Sequence, residues 1–182
     1  MRAIENSYEL QEDKSAHYLT FFFISKGFQH VVKVIQYSLV QELKGRNVYN
    51  LGFGDYDLEN DIIVDSINSN NGDAYKVFNT VLSTIPLFFE KHYNDILMVQ
   101  GSDGRPEFVE HCRLTCTKKC TVECKNHNRR INIYRGYVDK NYKKLRLDYH
   151  FLGGFKNEQR QTILEPYEPY KRYDSVFLFR KA

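Results

Sequence analysis

A chain of 182 residues with 42% hydrophobic and 27% charged residues can bury one sizeable core, which excludes wholesale disorder, a fibrous repeat and a large multidomain enzyme. Its longest apolar stretch, Leu19 to Ile24, is far shorter than the roughly 20 residues a membrane-spanning helix needs, so no membrane partner is expected. Met1 to Ser15 mixes Glu5, Glu9, Glu12 and Asp13 with Arg2 and Lys14 and lacks an apolar signal core, so a cytoplasmic setting is expected.

In chain order, His17–Ser25 and Val31–Tyr37 are aromatic and β-branched and flank Gly27, which predicts two strands joined as a hairpin. Asn47–Gly54 alternates Tyr49, Leu51 and Phe53 against Val48 and Asn50, the pattern of a strand with one buried face. Asp73 stands at a helix start. Val77, Phe78, Val81, Leu82, Ile85, Phe88 and Phe89 then recur at steps of three and four, so an amphipathic helix is predicted, with Pro86 expected to kink it or end it early. Asp95–Gln100 reads as a short buried strand before the turn Gly101-Ser102-Asp103-Gly104. From Arg129 to Leu145, residues Ile131, Tyr134, Val138, Tyr142 and Leu145 line one side of a second helix. Leu147–Leu152 and Ser175–Phe179 are the last predicted strands, separated by a polar stretch over residues 156–174. The outline is α+β: a mixed or antiparallel sheet, two main helices and a Cys-rich helical insertion over residues 105–128, in one domain spanning 1–182.

Charge is unevenly spread. The formal net charge is +3, yet between Arg105 and Arg146 twelve basic residues face four acidic ones, a net of +8, and the remainder carries −5. Such asymmetry marks either a solvated face or a polyanion site. Arg129, Arg130, Lys140 and Lys143 are the candidate contact residues, with Tyr137 as a ring for stacking against bases. Tyr167, Tyr170 and Tyr173 extend the aromatic set.

Cys112, Cys116, Cys120 and Cys124 recur every fourth residue, bracketed by His111 and His127. Four thiolates suit structural zinc, which takes Cys or His ligands tetrahedrally. On a straight helix Cys112 and Cys124 would stand about 18 Å apart. A zinc site therefore requires a break near Lys118-Lys119 that folds one pair back on the other. The same thiols could instead pack as small apolar groups on a helix with Phe108 and Val109, or form disulfides in an oxidising compartment.

The run Asp55-Tyr56-Asp57-Leu58-Glu59-Asn60-Asp61 puts a carboxylate at every second position, so on one extended strand all would share a side and could hold a divalent ion for phosphoryl chemistry. That side is also the one occupied by Tyr49, Leu51 and Phe53. A break at Gly54 is the expected way out, and it dissolves the alignment.

The runs Val48–Asp57, Asn70–Val81, Gly101-Ser102 and Arg129–Arg135 together resemble a family of small Bacteroidetes proteins classed as a domain of unknown function. The resemblance implies a compact α+β domain and carries over no catalytic residues. In the family pattern the Gly-Ser turn leads almost directly into the basic helix, so residues 103–128 read here as an insertion. The expected function is a cytoplasmic binding module with a basic surface for nucleic acid or an acidic protein. The alternatives are a metal-dependent phosphodiesterase or nuclease built on Asp55, Asp57, Glu59 and Asp61, and a structural partner in an operon-encoded complex.

Overall fold

The computed structural model describes residues 6–14, 18–64, 71–104, 106–115, 118, 120–121, 124–159 and 161–181. The chain forms two compact units, Met1–Asp95 and Ile96–Ala182. Nine strands and three α-helices lie among the described residues, so the α+β class holds.

In the first unit, strands β1 (Gln11–Asp13), β2 (Leu19–Lys26), β3 (His30–Leu43) and β4 (Arg46–Asp57) pair in sequence order, and β5 (Ile62–Val64) pairs the end of β4. Every pairing is antiparallel. The register sets Phe21 opposite Ile35 and Ile35 opposite Phe53, with Leu19, Tyr37 and Leu51 in the next row. Because side chains alternate along a strand, these rows share one face. Helix α1 (Ala74–Lys91) packs on that face: Phe88 stacks on Tyr37 with centroids 4.7 Å apart and meets Tyr49 edge-on at 5.4 Å. The Tyr37 and Thr84 hydroxyls are bonded at 2.7 Å, so the buried phenol keeps a partner.

Pro86 does not end α1; the helix runs on to Lys91. The apolar groups on both sides of the proline, Val81, Leu82, Phe88 and Phe89, are all buried, and burial of each large side chain contributes about 1.5–3 kcal/mol. Upstream, the Ser83 hydroxyl donates to the Thr80 carbonyl and that of Thr84 to the Val81 carbonyl, both at 2.7 Å, bonding carbonyls just before the disturbed turn.

The second unit orders its strands β6-β9-β7-β8, all antiparallel: β6 (Ile96–Gln100), β7 (Tyr149–Lys156), β8 (Thr162–Pro166) and β9 (Ser175–Arg180). Its helices are α2 (Pro106–Thr115) and α3 (Arg129–Leu145). Leu97, Leu178 and Phe151 make one row across the sheet, and Val99, Val176 and Gly153 the next. The ring of Tyr173 fills the space where a Cβ on Gly153 would stand, so that position is closed to any other residue. Tyr142 of α3 meets Phe151 at 5.9 Å and Tyr167 at 5.7 Å, which fixes the helix over this face.

β8 lies inside the stretch read as polar loop. Its residues are mostly exposed and it ends at Pro166, both properties of an edge strand, where alternation is weak and a missing N–H is harmless.

Candidate functional site

The basic helix begins at Arg129 and ends at Leu145, as its periodicity predicts. Its N-terminus is capped from elsewhere in the chain. Asn128 sits in the left-handed region with φ 56° and makes no side-chain cap bond. The 3-10 turn Ser102–Gly104 supplies the cap: the Arg130 N–H donates to Asp103 Oδ2 at 2.8 Å, and the Asn128 N–H donates to the Asp103 carbonyl at 3.2 Å. Asp103 is 3% exposed, and a buried carboxylate at the positive end of a helix dipole is well placed to stabilise it.

Once anchored, α3 divides by face. Ile131 is buried, and Tyr134, Val138, Tyr142 and Leu145 are half-buried. Asp139, the helix's one acidic residue, turns toward the tyrosines: its Oδ1 accepts the Tyr167 hydroxyl at 2.7 Å and the Tyr170 N–H at 3.0 Å. That geometry, with burial as the larger cause, raises the Tyr167 hydroxyl well above its ordinary range.

The opposite face is therefore free of acid. Arg129, Ile133, Gly136, Lys140 and Lys143 step by four and three along α3 and are all exposed, with Lys144 beside them. Among the described residues, the side chains of Arg129, Lys140, Lys143 and Lys144 have no hydrogen-bond or ion-pair partner. Arg129 to Lys143 spans about 21 Å of helix axis. Two features of this face run against helix physics. Arg129 stands in the first turn, where the dipole disfavours a cation and the helix has no acidic residue of its own. Gly136 interrupts the middle of the helix at a cost of about 1 kcal/mol relative to alanine, although a Cβ there would meet nothing within 4 Å.

The other candidates fall around this stripe. Arg130 and Tyr137 are half-buried at its margin, and burial raises the Tyr137 hydroxyl. Of the aromatic set, Tyr167 and Tyr173 are 4% and 3% exposed and belong to the core; Tyr170 is exposed. Cys112 is buried on α2 and accepts a bond from Asn126 Nδ2 at 3.3 Å; Cys120 accepts the Lys125 N–H at 3.3 Å. Among the described residues Cys112, Cys120 and Cys124 form no disulfide, and Cys116 lies outside the described residues. Asn126 also accepts from Lys118 Nζ, so its side chain meets both Lys118 and Cys112. Among the described residues no group of three or more metal-ligand side chains converges.

The acidic run is distributed among separate partners. β4 continues unbroken through Gly54, and Asp55 stays on the face of Phe53, where it pairs with the buried Lys33. The expected break is thus replaced by an ion pair. Asp57 closes a turn, accepting from Asn60 Nδ2 at 2.8 Å and from the Asn60 and Glu59 N–H groups at 3.2 and 2.9 Å, which lowers its pKa. Asp61 takes the Tyr56 hydroxyl, and Glu59 is exposed.

A polar hub in the first unit has no sequence motif to announce it. Asp73 Oδ2 accepts the hydroxyls of Ser25 at 2.6 Å and Tyr8 at 2.7 Å. Asn71, 4% exposed, donates to Ser25 Oγ and the Gln29 carbonyl and accepts the Gln29 N–H, while its carbonyl accepts the Phe28 N–H. These bonds tie the N-terminal segment, the β2–β3 hairpin and the start of α1 together. Ser25 is fully buried, so the hub is a scaffold rather than a nucleophile site.

Fold and face together define an antiparallel α+β protein that presents a cationic helix. The chain belongs to DUF6934, a family of unknown function whose model matches residues 4–107. The match takes in the first unit, β6 and the 3-10 turn and ends in the first turn of α2, so α3 lies beyond it. No curated protein and no solved structure matches the chain. No helix among the described residues is long and apolar enough to cross a membrane.

Proposed function

We propose that the protein is a nucleic-acid-binding module whose contact surface is the cationic stripe of α3: Arg129, Lys140, Lys143 and Lys144, with Arg130 and Tyr137 at its edge. One observation carries the reading: among the described residues these four cations have no partner, while the helix's one acid, Asp139, turns inward. Cations that neutralise nothing inside the protein are free to replace the counterions of a phosphate backbone, and release of those ions drives sequence-independent binding. A cytoplasmic setting belongs to this reading.

The test is fluorescence anisotropy with a labelled mixed-sequence DNA duplex, with labelled polyglutamate in parallel. The wild type binds the duplex, and Lys140→Glu with Lys143→Glu weakens it by at least about a hundredfold. Binding of polyglutamate alone would assign the stripe to an acidic protein. Mg²⁺-dependent cleavage of the duplex that Asp57→Asn abolishes would favour the phosphodiesterase instead. A chain that does none of these would be a structural partner in a larger complex.

A further inference from the structure

We infer that Gly136 is the point at which a nucleic-acid phosphate reaches the main chain of α3; the inference rests on the nucleic-acid reading of the same stripe. Elsewhere in the second unit, glycine has a local reason. A Cβ on Gly101, Gly104, Gly153 or Gly154 would run into Asp103, Asn128, Tyr173 or Ser175. At Gly136 the neighbourhood is empty and the backbone is helical, so neither packing nor a left-handed turn calls for glycine. The protein keeps a helix-weakening residue at an exposed position where alanine would fit. The reason therefore lies outside the fold.

Its place in the stripe says what that reason is. Arg129 lies seven residues before Gly136, Lys140 four after and Lys143 seven after, so the bare backbone has one cation about 10 Å to one side along the axis and two about 6 and 10 Å to the other. Long basic side chains meeting a flexible acidic peptide touch it at their tips and need no notch between them. A sugar–phosphate strand is stiffer and bulkier. Seated at Gly136 it brings its phosphates within reach of Arg129 on one side and Lys140 and Lys143 on the other, while a Cβ would hold it off. Close backbone approach is what glycine permits and no other residue does.

The deciding variant is Gly136→Ala, measured with the labelled DNA duplex and by thermal unfolding. The midpoint of unfolding should rise, because alanine is the better helix former, while duplex affinity should fall by at least about tenfold. The dependence of affinity on salt should keep its slope, since no charge is removed. Equal affinity of wild type and Gly136→Ala for the duplex would overturn the inference and leave the nucleic-acid reading standing. Absence of duplex binding by the wild type would overturn both. Loss of polyglutamate binding alone in the variant would show that the notch receives a peptide, and would also overturn the inference.

Discussion

The polar groups of the first unit and those of α3 have opposite fates. In the first unit Lys33 is buried against Asp55, Asp73 serves Ser25 and Tyr8, and Asn71 makes bonds with its amide and its carbonyl. On α3 the acid goes inward and four cations go outward with no partner among the described residues. Polar residues that hold a fold together are found by asking who satisfies them. Residues that serve a partner are found by what the fold leaves unsatisfied and exposed, and here that criterion picks out a helix face rather than the acidic run or the buried serine.

The sharpest way to break this contrast is to remove Asp55. Asp55→Ala removes the carboxylate that pairs with buried Lys33 and should cost up to about 3–5 kcal/mol in urea unfolding. Replacing both partners by apolar residues, Lys33→Met with Asp55→Leu, should restore most of the loss. A single variant as stable as wild type would show that the pair is not internal structure.

Both units answer to alkaline pH: the hydroxyls of Tyr8, Tyr49 and Tyr56 are raised in the first, and five more are raised in the second. Burial pushes the Tyr134 hydroxyl up to about 12 and raises those of Tyr137, Tyr149, Tyr167 and Tyr173. The folded state favours the neutral phenols, so their contribution is whole below pH about 10, where unfolded tyrosines keep their protons. As pH rises from about 10 toward 12 the unfolded chain ionises first and stability falls. Stability curves across that range, read beside tyrosinate absorbance, check it; ionisation of all the tyrosines near pH 10 with the fold intact would contradict it.

The smallest effect is expected on α3 itself. Lys143→Ala with Lys144→Ala should stay within about 0.5 kcal/mol of wild type in the same urea titration, because neither lysine has a partner among the described residues. A loss near that of Asp55→Ala would place these cations in the fold and erase the contrast.

How much of this was legible follows from range. The bounds of α3 were readable because Ile131, Tyr134, Val138, Tyr142 and Leu145 repeat at helical spacing, and the exposure of Lys140 and Lys143 follows from the same wheel. The N-cap position of Asp73 was readable too, but its carboxylate is taken by Ser25 and Tyr8, 48 and 65 residues away, which no local pattern encodes. The continuation of β4 past Gly54 turns on Lys33 standing opposite Asp55 in register, a property of strand pairing. The helix's survival at Pro86 turns on packing with β3 and β4. Edge strands β1, β5 and β8 lacked the alternation that betrays a half-buried strand. The inward turn of Asp139 depends on where Tyr167 and Tyr170 return to the helix.

The most direct test of the account is the salt dependence of duplex binding, wild type against Lys140→Ala with Lys143→Ala. If Arg129, Lys140, Lys143 and Lys144 each neutralise one phosphate, log K falls against log salt with a slope of about −3.6, and the double variant flattens it to about −1.8. A slope that the two substitutions leave unchanged would contradict the assignment of α3 as the contact surface.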